Sequence, residues 1–238
     1  MVLDPRALDP WALLGVTRHC AGCRGPEGPW CRSCAATVVG PAAYADLRPW
    51  PEGLPPVTAA SAYAGPLREA LVAFKDHGRW SLRTTLGSAL AVAVARLLVD
   101  LPSHDLERVT LVPVAGSPGS VRSRDGDHVR ELAEVAARDL RRAGADVRVR
   151  SGLAAVRGRA DQVGLGRAAR AANLGDSMRA RRGAEGLAGA VIVDDLVTTG
   201  ATLAEAARAL RSAGCRPLGA AVVAATRTRA ATVHLPEG

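Results

Sequence analysis

The chain has 238 residues, a formal net charge of +8, and 48% hydrophobic against only 3% aromatic residues. That length allows one or two domains, with a core built from Ala, Val and Leu. No run of eighteen apolar residues occurs: the best stretch, Leu86 to Leu101, is broken by Arg96 and Asp100. It reads as a buried-face helix, so the protein is expected to be soluble, cytoplasmic and not membrane-embedded. The absence of a G-x-x-x-x-G-K-[ST] run sets aside a Walker-type ATPase.

In chain order the first signal is a pair of C-x-x-C turns, Cys20 with Cys23 and Cys31 with Cys34. This is four-cysteine zinc spacing with a compressed middle, because each turn brings two thiolates to one tetrahedral ion. A filled shell leaves no position for substrate, so the zinc is expected to be structural. Two disulfides are the alternative, and they need an oxidising compartment. Asp4, Arg6 and Asp9 interrupt the first twenty residues, which therefore contain no secretory apolar region. His19 adjoins Cys20 and reads as a bystander. Trp11, Trp30 and Trp50 read as packing around the metal.

Pro41, Pro49, Pro51, Pro55 and Pro56 mark a stiff linker over residues 41–60, between a module at 1–40 and a larger domain at 61–238. From residue 61 apolar strands alternate with helices. Helices are expected over 66–75, 81–99, 128–143 and 201–213, and strands over 109–114, 147–150, 190–193 and 218–225. This alternation predicts an α/β fold, a parallel sheet flanked by helices on both faces.

Thirty-one residues are Lys or Arg, and Lys75 alone is lysine; Phe74, Gln162, Asn173 and Ile192 are likewise the single Phe, Gln, Asn and Ile. Nearly all basic positions written as Arg suggest a GC-rich genome, which makes the surviving exceptions informative. Lys75 ends the first helix of the large domain, where a compact ammonium has a use that planar Arg cannot fill. It is expected to contact a phosphate or a carboxylate. Gln162, Arg170 and Asn173 are spaced to share one helical face.

The most informative stretch is Ala-Val-Ile-Val-Asp194-Asp195-Leu-Val-Thr198-Thr199-Gly200-Ala201-Thr202-Leu203. A β-branched run feeds two carboxylates, then a hydroxyl- and glycine-rich turn, then a helical pattern. Backbone N–H groups and the dipole at such a helix start suit a phosphate, and Thr198, Thr199 and Thr202 add hydroxyl donors. Carboxylates repel phosphate, so the acid pair is suited to sugar hydroxyls. The turn reads as a site for a phosphorylated sugar.

This segment resembles the phosphoribosyl pyrophosphate signature of type I phosphoribosyltransferases. The resemblance implies that Asp194 and Asp195 bind the ribose 2′- and 3′-hydroxyls, and that Thr198, Thr199, Gly200, Ala201 and Thr202 bind the 5′-phosphate. The four-cysteine module, the Phe74-Lys75 helix end, Val112-Pro113-Val114, the Gln162–Asn173 segment and the acid-pair turn, in that order, resemble the ComF competence family. Those are phosphoribosyltransferase-like proteins associated with DNA uptake. The family resemblance adds Lys75, Arg124, Gln162, Arg170 and Asn173 to the substrate contacts and Mg²⁺ as companion of the pyrophosphate. Single-stranded DNA and a competence helicase-like protein are candidate partners. In the family an Arg-Gly-x-Asn or Arg-Gly-x-Asp-His stretch follows the Val-Pro-Val strand; here it reads Arg122-Ser-Arg124-Asp125-Gly126-Asp127-His128, with Asp125 where Arg is usual. A carboxylate there repels pyrophosphate unless Mg²⁺ intervenes.

Residues 1–60 hold five Arg and five Asp or Glu, so the whole charge excess lies in the larger domain. Arg148, Arg150, Arg157, Arg159, Arg167, Arg170, Arg179, Arg181 and Arg182 face only Asp161 and Asp176 within 148–182. Such a patch suits a pyrophosphate or a nucleic-acid backbone. The first expectation is a phosphoribosyltransferase with Asp194 and Asp195 as catalytic residues; the alternative is a non-catalytic nucleic-acid-binding or scaffold protein of the DNA-uptake machinery.

Overall fold

The computed structural model of the chain describes residues 19–38, 41–102, 106–115, 127–156 and 176–229. Nine strands are described: β1 (Ala43–Ala45), β2 (Val57–Ala62), β3 (Val109–Pro113), β4 (Val147–Val149), β5 (Leu153–Ala155), β6 (Met178–Ala180), β7 (Ala190–Val197), β8 (Gly219–Ala225) and β9 (Thr228–Arg229). Seven form one sheet in the order β4-β3-β7-β8-β2-β1-β9. The five from β4 to β2 run parallel, while β1 is antiparallel to both its neighbours. β5 and β6 pair separately as an antiparallel ribbon.

Among the described residues five α-helices accompany them: α1 (Arg32–Ala36), α2 (Gly65–Asp76), α3 (Arg83–Val99), α4 (His128–Arg142) and α5 (Ala201–Ser212). α2, α3 and α4 cover one face of the sheet, where Leu71, Phe74, Leu90, Leu97, Leu132 and Val191 share one buried cluster. α5 and the β5–β6 ribbon cover the other, where Leu153, Met178, Ile192, Leu203, Leu210 and Val222 share a second. The expected parallel α/β sheet with helices on both faces is therefore present. β8 is buried along its whole length as Gly-Ala-Ala-Val-Val-Ala-Ala. Its glycine and alanines are poor strand formers by propensity, but a central strand covered on both faces is selected by burial, with Val222 and Val223 supplying β preference.

The Pro-rich segment differs from the expected linker. Residues 41–60 contribute β1 and most of β2, and Leu47, Leu54, Val57 and Ala59 are buried in the second cluster. Tyr44 donates to Asp100 Oδ2 at 2.5 Å just past α3. The prolines lie at and between strand ends, where a missing N–H costs no ladder bond. Trp50 is 42% exposed and donates from Nε1 to the Leu54 carbonyl at 3.1 Å, so it does not pack around a metal. Trp30 does lie against the cysteines, and Trp11 lies outside the described residues.

Trp80–Val99, a 3₁₀ turn running into α3, has a mean hydropathy of 1.5 and is long and apolar enough by composition alone to cross a membrane. Its Leu82, Leu86, Leu90, Val94 and Leu97 are buried in the first cluster. That face belongs to the core.

Candidate functional site

β7 runs through the acid pair to Val197, four residues further than its β-branched run suggests. Successive side chains on a strand point to opposite faces. Val191 and Val193 enter the α2–α4 core, whereas Ala190 and Ile192 enter the α5 core. Asp195 continues the first series and is directed toward α2. There Lys75 Nζ lies 2.9 Å from its Oδ2 and 3.3 Å from its Oδ1, with the Asp195 side chain only 5% exposed. The expected lysine–carboxylate contact is present, and it links the last turn of α2 to the end of the central strand.

Asp194 is half-buried on the other side and accepts the backbone N–H of Asp195 on Oδ1 at 2.8 Å. Loss of solvent and then the neighbouring Asp195 charge push its carboxyl well above the ordinary 3.8, against the smaller opposing effects of that N–H and of Lys75. The adjacent carboxylates thus carry an unequal burden: Asp195 is neutralised by an ammonium, while Asp194 retains repulsion that a hydroxyl or cation donor would relieve.

Beyond β7 the chain turns through Thr198 and Thr199, both exposed, into Gly200 at φ +80°. Thr226 ties this turn to the end of β8, its N–H donating to the Val197 carbonyl at 3.1 Å and its hydroxyl to the Thr198 carbonyl at 3.4 Å. A Cβ on Gly200 would lie 2.7 Å from Leu47 Cδ1, 2.8 Å from Leu54 Cδ2 and 3.3 Å from Pro51 Cγ. Only glycine suits both that left-handed backbone and that spacing. The Gly200 carbonyl accepts from the Ala204 N–H at 2.9 Å, starting α5. No side chain caps the helix from Gly200 and its first turn holds no acid. Ala201 N–H makes only a long 3.4 Å bond to Thr199 Oγ1. The first turn of α5 therefore presents donors beside exposed hydroxyls, an arrangement suited to an anion such as a phosphate.

Lys75 stands next to a cluster of the scarce aromatic side chains. Phe74 meets Trp80 edge-on with centroids 5.5 Å apart, and His128 lies 5.7 Å from Phe74 and 6.2 Å from Trp80. These rings fix the end of α2 against the start of α4. Arg124, Asp125, Gln162, Arg170 and Asn173 lie outside the described residues. Of the arginines that close the 148–182 patch, Arg181 donates from Nε to the Leu153 carbonyl at 2.9 Å and so holds the β5–β6 ribbon together, while Arg179 and Arg182 are exposed.

Sequence reasoning missed a buried clamp behind the turn. Glu205, 5% exposed, accepts the Met178 N–H at 2.9 Å and pairs with Arg208 Nε at 2.7 Å. Arg208 also donates to the Met178 carbonyl at 3.0 Å and lies 3.3 Å from Asp176. This fastens the ribbon to α5. In the sequence the pair reads as an ordinary i,i+3 surface contact, and only the burial of Glu205 distinguishes it. A groove of about 380 Å³ beside it, lined by Val156, Met178, Arg208 and Ser212, follows the C-terminal half of α5 rather than its N-terminal start.

At the other end of the chain the Sγ atoms of Cys20, Cys23, Cys31 and Cys34 all lie within 4.8 Å of one another. Backbone N–H groups of Gly22, Gly25, Cys31 and Cys34 point at the sulfurs from 3.3–3.4 Å. Burial works to raise the Cys20 thiol, but the N–H groups around it lower it to about 6; burial and the neighbouring thiols push Cys34 up. Thiols this close cannot all ionise without a cation among them. The donor set fits one tetrahedral thiolate-bound ion.

Residues 170–234 match a family model described as the phosphoribosyl transferase domain. The match takes in the acid pair, the turn, α5 and β8, together with Arg170 and Asn173; the cysteine cluster and Lys75 lie before it. No curated protein matches the chain.

Proposed function

We propose that this protein is a phosphoribosyltransferase whose substrate is the magnesium complex of phosphoribosyl pyrophosphate. The observation that carries this reading is the strand, acid pair, left-handed Gly200 and open first turn of α5, within the residues that match a phosphoribosyl transferase domain. Asp194 and Asp195 accept hydrogen bonds from the ribose hydroxyls. Asp195 keeps Lys75 as well, since a carboxylate offers about four acceptor positions. Thr198 to Thr202 hold the 5′-phosphate through hydroxyls and backbone N–H groups. Arg124, Gln162, Arg170 and Asn173 carry over from the ComF resemblance as contacts to the remainder of the substrate. Transfer of this kind needs positioning and stabilisation of the departing pyrophosphate more than a protein nucleophile.

The four cysteines hold one structural zinc in this reading, with no open coordination position. The ComF resemblance supplies the cellular role, a cytoplasmic protein linked to DNA uptake in competence, with single-stranded DNA and a helicase-like protein as candidate partners. Pyrophosphate release from phosphoribosyl pyrophosphate and Mg²⁺, assayed over nucleobase and amine acceptors, tests the activity. Binding of phosphoribosyl pyrophosphate without release under any acceptor would leave a sugar-phosphate-binding protein and refute the transferase.

A further inference from the structure

Three contacts join the cysteine module to α2. Gly22, between Cys20 and Cys23, approaches the first turn of α2 so closely that a Cβ on it would lie 2.7 Å from Pro66 Cβ and 2.8 Å from Cys34 Sγ. Just past the last turn of α2, Arg79 donates from Nη2 to the His19 carbonyl, while its own N–H returns to the Ala73 carbonyl at 3.0 Å. Between these points Ala21 belongs to the same buried cluster as Leu67, Leu71 and Phe74, and Trp30 packs against both that cluster and the cysteines. The module thus grips α2 near both ends. α2 is the element that brings Lys75 to Asp195.

We propose that the cysteine module is a clamp on α2, and that a metal ion held by the cysteines sets the position of Lys75 against Asp195 and thereby the affinity for the sugar phosphate. The link to affinity rests on the acid pair being the sugar site; the clamp itself rests on geometry alone. A helix of three turns moves as a rigid body, so displacement at Pro66 or Arg79 is passed to Lys75 along the backbone. Misplacement by about 1 Å is enough to impair an aligned site severely. Metal binding supplies the rigidity, because a module with so small an apolar core owes its fold to the ion. Gly22 and Arg79 are positioning residues that act through Lys75.

The test uses the full metal-loaded chain and two variants, Arg79→Gln and Gly22→Ala, with metal content measured for each. Amide exchange over residues 71–76 reports the clamp without any ligand. Calorimetry with phosphoribosyl pyrophosphate and Mg²⁺, in chains with Lys75 and with Lys75→Met, reports its transmission. Both variants are expected to speed exchange in α2 while retaining metal, to weaken binding about fivefold or more when Lys75 is present, and to add nothing in the Lys75→Met background. Unchanged exchange overturns the clamp. Equal weakening in both backgrounds overturns its action through Lys75. Should the unaltered chain fail to bind phosphoribosyl pyrophosphate, the sugar-site reading fails, and the exchange result still decides the clamp. If Gly22→Ala loses its metal, Arg79→Gln carries the test.

Discussion

The cysteine module and the α/β layers obtain their order from different physics. In the layers, Leu86, Leu90, Leu111, Leu132, Ile192, Leu203 and Leu210 are each less than 2% exposed, and each such side chain contributes about 1.5–3 kcal/mol by leaving water. The buried cluster that the module has to itself contains Cys20, Cys31 and Cys34, with Trp30 beside them. Burial on that scale cannot offset the entropy of ordering the chain, and four converging sulfurs replace it. The two regions therefore answer to different perturbations, and α2 is where they meet.

The largest expected effect separates them outright. A chelator, or Cys23→Ser, should remove about one zinc per chain and with it a binding free energy of roughly 10–16 kcal/mol at pH 7. Amide exchange over residues 19–38 then becomes fast while β7 and β8 stay protected. Protection lost in β7 would show that the layers lean on the metal more than their core implies.

Gly200→Ala is the matching insult to the layers. It forces an alanine into a left-handed conformation and drives a methyl into Leu47 and Leu54, at a cost of about 2–4 kcal/mol in urea unfolding. Metal content should not change. A cost below 1 kcal/mol would mean that the segment carrying Leu47 and Leu54 yields easily.

Glu205→Gln should cost about 1–3 kcal/mol by weakening the bonds that fasten the β5–β6 ribbon. Burial works to raise the Glu205 carboxyl, but the Arg208 guanidinium and the Met178 N–H outweigh it and hold it below the ordinary 4.5. A lowered value means stability that is present above about 4.5 and is lost as pH falls through the folded-state value. The Gln variant should therefore show a flatter acid limb in a pH series of Tm. An unchanged limb would assign acid sensitivity to other carboxylates.

The smallest effect has the opposite sign. Because the Asp194 carboxyl is raised above its ordinary 3.8, its ionised form opposes folding; the group favours folding below 3.8 and that contribution disappears as pH rises through the folded-state value. Asp194→Asn keeps an acceptor for the Asp195 N–H and removes the repulsion, so Tm at neutral pH should rise by about 2 °C or more without ligand. A fall in Tm would show that the charge is compensated in the free protein.

The legible parts of the fold were those with one dominant signal. The acid pair and turn announce themselves because strand, carboxylates, glycine and helix start follow in an order that few other structures need. Lys75 stands out by its rarity in an Arg-rich chain, and its contact with Asp195 joins residues 120 positions apart. The four cysteines were legible from spacing. Prolines hide β1 and β2, because they mark strand ends as readily as linkers, and Trp50, expected to pack around a metal, instead meets Leu54 within that segment. β5 (Leu-Ala-Ala) and β6 (Met-Arg-Ala) hold no β-branched residue, so they carry no strand signal, whereas β4, equally short, reads Val-Arg-Val. The Glu205–Arg208 clamp is invisible in the sequence because the burial of Glu205 beside a half-exposed Arg208 is decided by tertiary packing. The unequal environments of Asp194 and Asp195 follow from strand alternation, which the sequence contains, but which face meets Lys75 depends on where α2 lies.

The central claim is that the acid pair and its turn form a sugar-phosphate site. Calorimetric titration of phosphoribosyl pyrophosphate with Mg²⁺ into the unaltered chain and into the Asp194→Asn, Asp195→Asn double variant tests it directly. Measurable binding that the double variant weakens by about 1–3 kcal/mol or more, with the fold intact by circular dichroism, is the predicted result, since charge-assisted hydrogen bonds to the ribose are lost. Equal affinity in the two proteins, or no binding by the unaltered chain, would contradict it.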